Sequence, residues 1–313
     1  MKKWGMALLG IGLIFGALAG VAGIEPQAAG ATPISPQGEK AAHTIWAGES
    51  GGFAIRWTTA DIQAQPLKGP DRLVFSAAQL ARRDFQTFIS PPNLDGSEGH
   101  ITYERKFTLL SVVGSIISFR DELYYYVQPS AHPGGETRYT AIDLAKPGEA
   151  VYVSPPEADP FELDLAKLGK VAMLTDYFPE KEVVRALQKN ALMQEALAGE
   201  SLRSPAELRT LLEGPLIAGI PYSIPPDLFT RFVFHHLEGT KVAVRLGLPS
   251  ASGAARYAHA GQNLLLPIPP ALKKPLTLAS SGKEGFLMAD QKKLAGKGFT
   301  LISFSFEGQG RVK

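Results

Sequence analysis

The chain has 313 residues, of which 45% are hydrophobic and 20% charged, with a formal net charge of +2 and no cysteine. That profile describes a globular protein, and no charge excess points to nucleic acid or an anionic membrane as a partner. The absence of cysteine excludes disulfides, thiolate nucleophiles, cysteine-ligated zinc and lipidation on cysteine.

The first segment reads as an export signal. Lys2 and Lys3 precede an uncharged run from Ala7 to Ile24, and Ala29-Gly30-Ala31 offers a small-residue cleavage site. A retained N-terminal anchor is the other reading, because the 18-residue run sits at the lower edge of the roughly 17–25 residues that span a bilayer. Either way the remainder is expected outside the cytoplasm, with the lysines left inside. Removing residues 1–31 leaves 30 basic and 29 acidic residues, so the mature chain is close to neutral.

Residues 32–44 read as a linker, and 45–313 as one domain. Phe53 to Trp57 alternates and predicts a strand, and Gln63 to Asp71 reads as loop. Ser76 to Ser90 carries Leu80, Ala81, Phe85, Phe88 and Ile89 at helical spacing, and Pro91-Pro92 stops it. After a turn-rich stretch from Asn93 to Gly99 come two β-branched and aromatic runs, Phe107 to Phe119 and Leu123 to Val127. A Pro/Gly/His turn and a third short run follow, and together they form the expected centre of an antiparallel sheet. Residues 145–160 are rich in proline, glycine and acid, with a short strand possible over Val151 to Val153. Phe161 to Leu165 alternates, and Lys167 to Lys170 turns around Gly169.

Pro179 suits the first position of a helix running to about Leu197, with Val183, Val184 and Leu187 on one face. Ser204-Pro205-Ala206-Glu207 is a capping box opening a second helix that Gly214 ends. Thr230 to Leu248 predicts a hairpin turning at Glu238-Gly239. A loop is expected over Gly253 to Gly261, and strands over Asn263 to Ile268 and Phe299 to Phe306. Short turns between strands and helices grouped in the middle predict an α+β fold: an antiparallel sheet with a central pair of helices packed on it.

Four segments are familiar together: SVVGSIISFRDELYYYVQPSAHPGG (111–135), FELDLAKLGKVAMLTDYF (161–178), RFVFHHLEGTKVAVRLGLPSASGA (231–254) and LLLPIPPAL (264–272). They resemble an extracytoplasmic domain family that forms the lysozyme-sensing part of a bacterial anti-sigma factor. The same family is appended to peptidoglycan deacetylases and occurs in stand-alone exported proteins. The likeness covers about 76–272 and implies a sensing or accessory domain of the cell envelope. Two departures stand out: Pro129 and Ser130, rather than glycines, precede Ala131-His132, and 145–160 look inserted.

Six histidines are present, His43, His100, His132, His235, His236 and His259, none at HxH or HxxxH spacing. His235 and His236 are adjacent, so on a regular strand they point to opposite faces. His132 lies in the turn leaving the sheet. As a general base it would pair with Asp121, Glu136 or Asp143, with Ser111 or Ser130 as nucleophile; as a structural residue it would satisfy backbone groups of the turn. No G-x-S-x-G elbow accompanies it. The acid pairs Asp159/Glu162 and Glu98/Glu104 read as loop residues with nothing apolar to raise a pKa. Tyr124 and Tyr126 share one strand face and Tyr125 the other; one face is core, and exposed tyrosines on the other would stack on a sugar or anchor a protein.

The functional expectation is a cell-envelope binding or sensing domain without covalent chemistry, cofactor or metal. Its ligand is a lysozyme-like protein or a cell-wall glycan, with Tyr124, Tyr126 and His132 as binding candidates. The alternative is an envelope hydrolase using His132 as general base.

Overall fold

The computed structural model describes residues 42–69, 72–89, 98–128, 133–148, 164–190, 228–247, 263–295 and 302–311. These form a mixed α+β structure with three antiparallel sheets.

The middle layer is the five-stranded sheet, in the order β12 (Ile302–Arg311), β5 (Glu98–Val113), β6 (Ile116–Val127), β7 (Gly134–Asp143), β8 (Lys170–Val171). Its long central pair is one hairpin whose turn lies at Gly114-Ser115, with Gly114 at φ 58°. The expected run from Phe107 to Phe119 is thus broken in two, and β6 continues unbroken through the tyrosines.

One face of this sheet packs on a four-stranded meander, β1 (Thr44–Ser50), β2 (Phe53–Thr58), β3 (Asp61–Pro66) and β4 (Leu73–Ser76). Phe53, Ile55, Trp57, Ile62 and Phe75 meet Phe107, Leu109, Ile117, Phe119 and Ile142, so two inner faces close on each other as in a sandwich. Farther along the same face, helix α1 (Ala77–Ile89) sets Ala81 and Phe85 on Ile101, Tyr103, Phe304 and Phe306. The Gln79 amide donates to Ser76 Oγ at 3.2 Å, capping that helix.

The opposite face is covered at one end by a third sheet of β9 (Phe232–Glu238), β10 (Lys241–Leu246) and β11 (Asn263–Pro267). Helices α2 (Glu180–Gln188) and α3 (Pro270–Ser280) complete that layer. Val113, Ile116 and Ala141 enter this core beside Phe232, Phe234, Val244, Leu266, Val183, Leu187 and Leu276. A short helix, α4 (Gln291–Ala295), precedes β12.

Several expectations are corrected. Gln63 to Pro66 belongs to β3, not a loop: its alternation Ile62, Ala64 against Gln63, Gln65 buries only small or apolar groups. Thr44 opens β1 rather than ending a linker, and Glu98 and Glu104 lie on β5 rather than in a loop. Asp164 and Leu165 form a helical turn, so the alternation there does not continue as a strand. The helix expected to run from Pro179 to about Leu197 instead ends at Gln188, with Lys189 as its C-cap. Residues 1–41, the expected strand at 151–153, the expected helix at 204–214, the expected loop at 253–261, His132 and His259 lie outside the described residues.

Candidate functional site

β5 and β6 are 16 and 12 residues long, and among the described residues the third layer meets them near their shared turn. Toward the other end, no described layer packs on that face of the middle sheet. Antiparallel pairing places Tyr124 opposite Glu104 and Gly135, Tyr126 opposite Thr102, and Glu122 opposite Lys106 and Thr137. On β12, Ser303, Ser305 and Glu307 extend the same rows, opposite Lys106, Glu104 and Thr102. Tyr124 is 38% exposed, because its neighbour on β7 is a glycine with no side chain to shield the ring. Tyr126 is half-buried.

Charge on this face is mostly paired within it. Lys106 Nζ meets Glu104 at 2.9 Å and Arg120 meets Glu122 at 3.0 Å, each pair two residues apart along one strand. Glu307 adds a further exposed carboxylate, so three acids stand against two cations. The surface is a flat, hydrated platform with one projecting aromatic ring. Among the described residues, no cleft opens on this face.

Tyr125 turns to the other face, half-buried beside Tyr103, Phe85 and Phe306. Its ring lies over Gly134, where a Cβ would come within 2.1 Å of it. The two glycines after the turn therefore have distinct jobs: Gly134 makes room for Tyr125, and Gly135 leaves Tyr124 bare.

Beneath Tyr125, on the covered face, lies a buried ionic network. Arg105 forks onto Asp121 at 2.9 and 2.6 Å and also pairs with Asp84 of α1, to which the Tyr103 hydroxyl donates at 3.4 Å. Burial pushes the Asp121 carboxyl up, and the Arg105 fork opposes it. The Tyr103 hydroxyl is raised by burial and by Asp121. Asp121 is thus committed to Arg105. Ser111 is fully buried and offers no accessible hydroxyl.

Asp143 is committed elsewhere. Its carboxylate accepts from Ser115 Oγ at 2.6 Å, Tyr177 OH at 2.9 Å and the Ala145 amide at 3.1 Å, with Lys146 Nζ at 3.4 Å. Burial works to raise its pKa, but these donors together hold it below the usual carboxylate value. Ser111 and Asp143 also sit at the Gly114 end of the hairpin, whereas the chain leaves β6 at Gln128, roughly 30–40 Å away along the strand. Of the groups first paired with His132, Glu136 lies nearest to that exit in the sheet, two residues after Gly134.

The two adjacent histidines depart from expectation. A β-bulge at His235, between the pairs His236–Ala243 and Phe234–Val244, brings both rings to one side, with Nδ1 to Nδ1 at 2.7 Å. One nitrogen must donate and the other accept. Burial first, then Arg245 and His236, lower the His235 pKa to about 4. Among the described residues no group of three histidine, cysteine, aspartate or glutamate side chains is placed to hold a metal ion.

The sequence reading missed Glu104, Lys106, Arg120 and Glu122 as partners of the tyrosines. The alternation Thr102, Glu104, Lys106 against Tyr103, Arg105, Phe107 was the available signal, obscured by an arginine in the inward register. No family model, no curated protein and no solved structure matches this chain.

Proposed function

We propose that this chain is an exported binding or sensing domain of the cell envelope. Its ligand is an extracytoplasmic protein of the lysozyme kind or a cell-wall glycan, and it acts without covalent chemistry. The observation that supports this reading is the open platform bearing Tyr124 and Tyr126 on the uncovered end of a rigid sheet. An aromatic ring projecting from a polar, hydrogen-bonding surface suits both the centre of a protein interface and the face of a sugar. The small excess of carboxylates favours a basic partner. The proposal includes the resemblance to the lysozyme-sensing family, export directed by residues 1–31, and a second helix at 204–214 paired with α2. The hydrolase alternative rests on His132 alone, and no specific observation favours it.

The experiment is a titration of the chain lacking residues 1–31 with hen-type lysozyme in one arm and soluble muropeptides in the other. The wild type is compared with Tyr124→Ala and Tyr126→Ala. The expected result is saturable binding in one arm, weakened by about 2 kcal/mol or more for Tyr124→Ala, with unchanged melting. Binding indifferent to both substitutions would move the site off this face.

A further inference from the structure

β1 is the outermost strand of the four-stranded sheet, and Gly51 and Gly52, at φ 58° and 86°, close it onto β2 in a two-residue turn. In such a hairpin the flanking pair Ser50–Phe53 exchanges hydrogen bonds, and alternation gives the same role to Gly48–Ile55. The backbone groups of Ala47 and Glu49 therefore point away from β2. Both residues are exposed, and among the described residues no hydrogen bond reaches those outward groups.

They face a groove of about 400 Å³ between β1 and the end of α3. Its lining combines an apolar patch with the charged side chains of Lys283, Asp290 and Lys293. Trp46 stands edge-on to Phe286 at 5.4 Å, with Leu294 beside them. The indole lies over Gly48, where a Cβ would come within 2.8 Å, and so occupies the inner face of the strand. On the outer side, Arg56 stands opposite Ala47, whose short side chain leaves the guanidinium uncovered, and among the described residues Arg56 has no ion pair.

We propose that this groove takes an extended peptide of a partner protein, added to β1 as a further antiparallel or parallel strand. Its backbone pairs with Ala47 and Glu49, apolar side chains on alternate positions meet Trp46 and Phe286, and a carboxylate on the outer side meets Arg56. Unpaired edge groups are a template for another backbone, which a sugar ring would not satisfy in register. This surface is separate from the tyrosine platform and does not depend on its role.

The test uses a short synthetic peptide alternating valine with glutamate, and the same peptide N-methylated at alternate residues. Amide hydrogen exchange at Ala47 and Glu49 is the readout. The expected result is that the first peptide slows exchange at both amides by about tenfold or more at saturation, and the N-methylated peptide does not. Ala47→Pro removes one outward donor at a position where an edge strand tolerates proline. It is expected to melt like the wild type and bind the peptide about tenfold more weakly. Equal protection by the N-methylated peptide would overturn the proposal. So would the same protection from an N-acetylglucosamine oligomer, or from rising protein concentration alone, which would give the edge to a sugar or to a second copy. If Ala47→Pro fails to fold, the N-methylated peptide still decides.

Discussion

Replacing Asp143 by asparagine tests whether one carboxylate ties three parts of the fold together. Asp143 ends β7; Ser115 belongs to the β5–β6 turn, and Tyr177 to the segment that leads into α2. Ser115 and the Ala145 amide share one oxygen, while Tyr177 and Lys146 share the other. An amide keeps a single accepting oxygen and turns an NH2 toward the other pair, so either the Ala145 amide or the Lys146 ammonium loses its acceptor, the facing hydroxyl must reverse its role, and the remaining bonds lose the charge. Hydrogen bonds to a charged acceptor contribute about 1.5–3 kcal/mol each, and with partial relaxation the expected cost is about 3 kcal/mol near neutral pH. The sign with pH follows from the lowered pKa. Stability from this group is present above the unfolded value of 3.8 and is lost as pH falls through the folded value, so the cost of the substitution should shrink below about pH 4. Urea unfolding followed by the fluorescence of buried Trp57 measures it at each pH, beside Tyr177→Phe to apportion the bond. A cost under about 1 kcal/mol near neutral pH, or one that stays constant into the acid range, would refute the reasoning.

Asp121→Leu removes the forked carboxylate from Arg105 and leaves it paired with Asp84, so it should cost about 3 kcal/mol, while the double replacement Arg105→Met/Asp121→Leu should recover part of it; additive losses in urea unfolding would refute that coupling. Gly51→Ala should destabilise by about 3 kcal/mol or more, because its Cβ would lie 2.3 Å from the backbone of Gly114 and φ is 58°; a melting temperature within error of the wild type would contradict it. By NMR titration His235 should ionise near 4, and Arg245→Gln should move it up toward 6.5. Because the lowered value means stability is present above 6.5 and lost as pH falls toward 4, that variant should also flatten the acid limb of stability over this range.

The middle of the sheet was legible because β5 and β6 are rich in β-branched and aromatic residues, and the β9–β10 hairpin because its turn and flanks follow ordinary rules. What was not legible has physical causes. β3 was hidden by glutamines and small alanines, which match a strand only when one face is pressed on a sandwich partner. α3 was hidden by Pro269, Pro270 and Pro275, yet Pro270 sits at the helix start, and Pro275 packs beside Gly114, whose added Cβ would come within 3.2 Å of it. The same-side histidines needed a bulge, which no local pattern announces.

The candidate site was half-legible for a more specific reason. Period-two reading assigned Tyr124 and Tyr126 to one face correctly, but it could not say which face was open, because Arg105 and Asp121 stand in the inward register among Tyr103, Phe107, Phe119 and Leu123. A buried pair of opposite charges blurs the contrast between faces that periodicity depends on. Among the described residues, that face is left open where the central strands extend beyond the third layer, a relation between elements distant in sequence. Lengthening that third layer would bury Tyr124 without altering a residue of β6. The platform is therefore a property of how far each layer reaches, with the tyrosines placed where the cover ends.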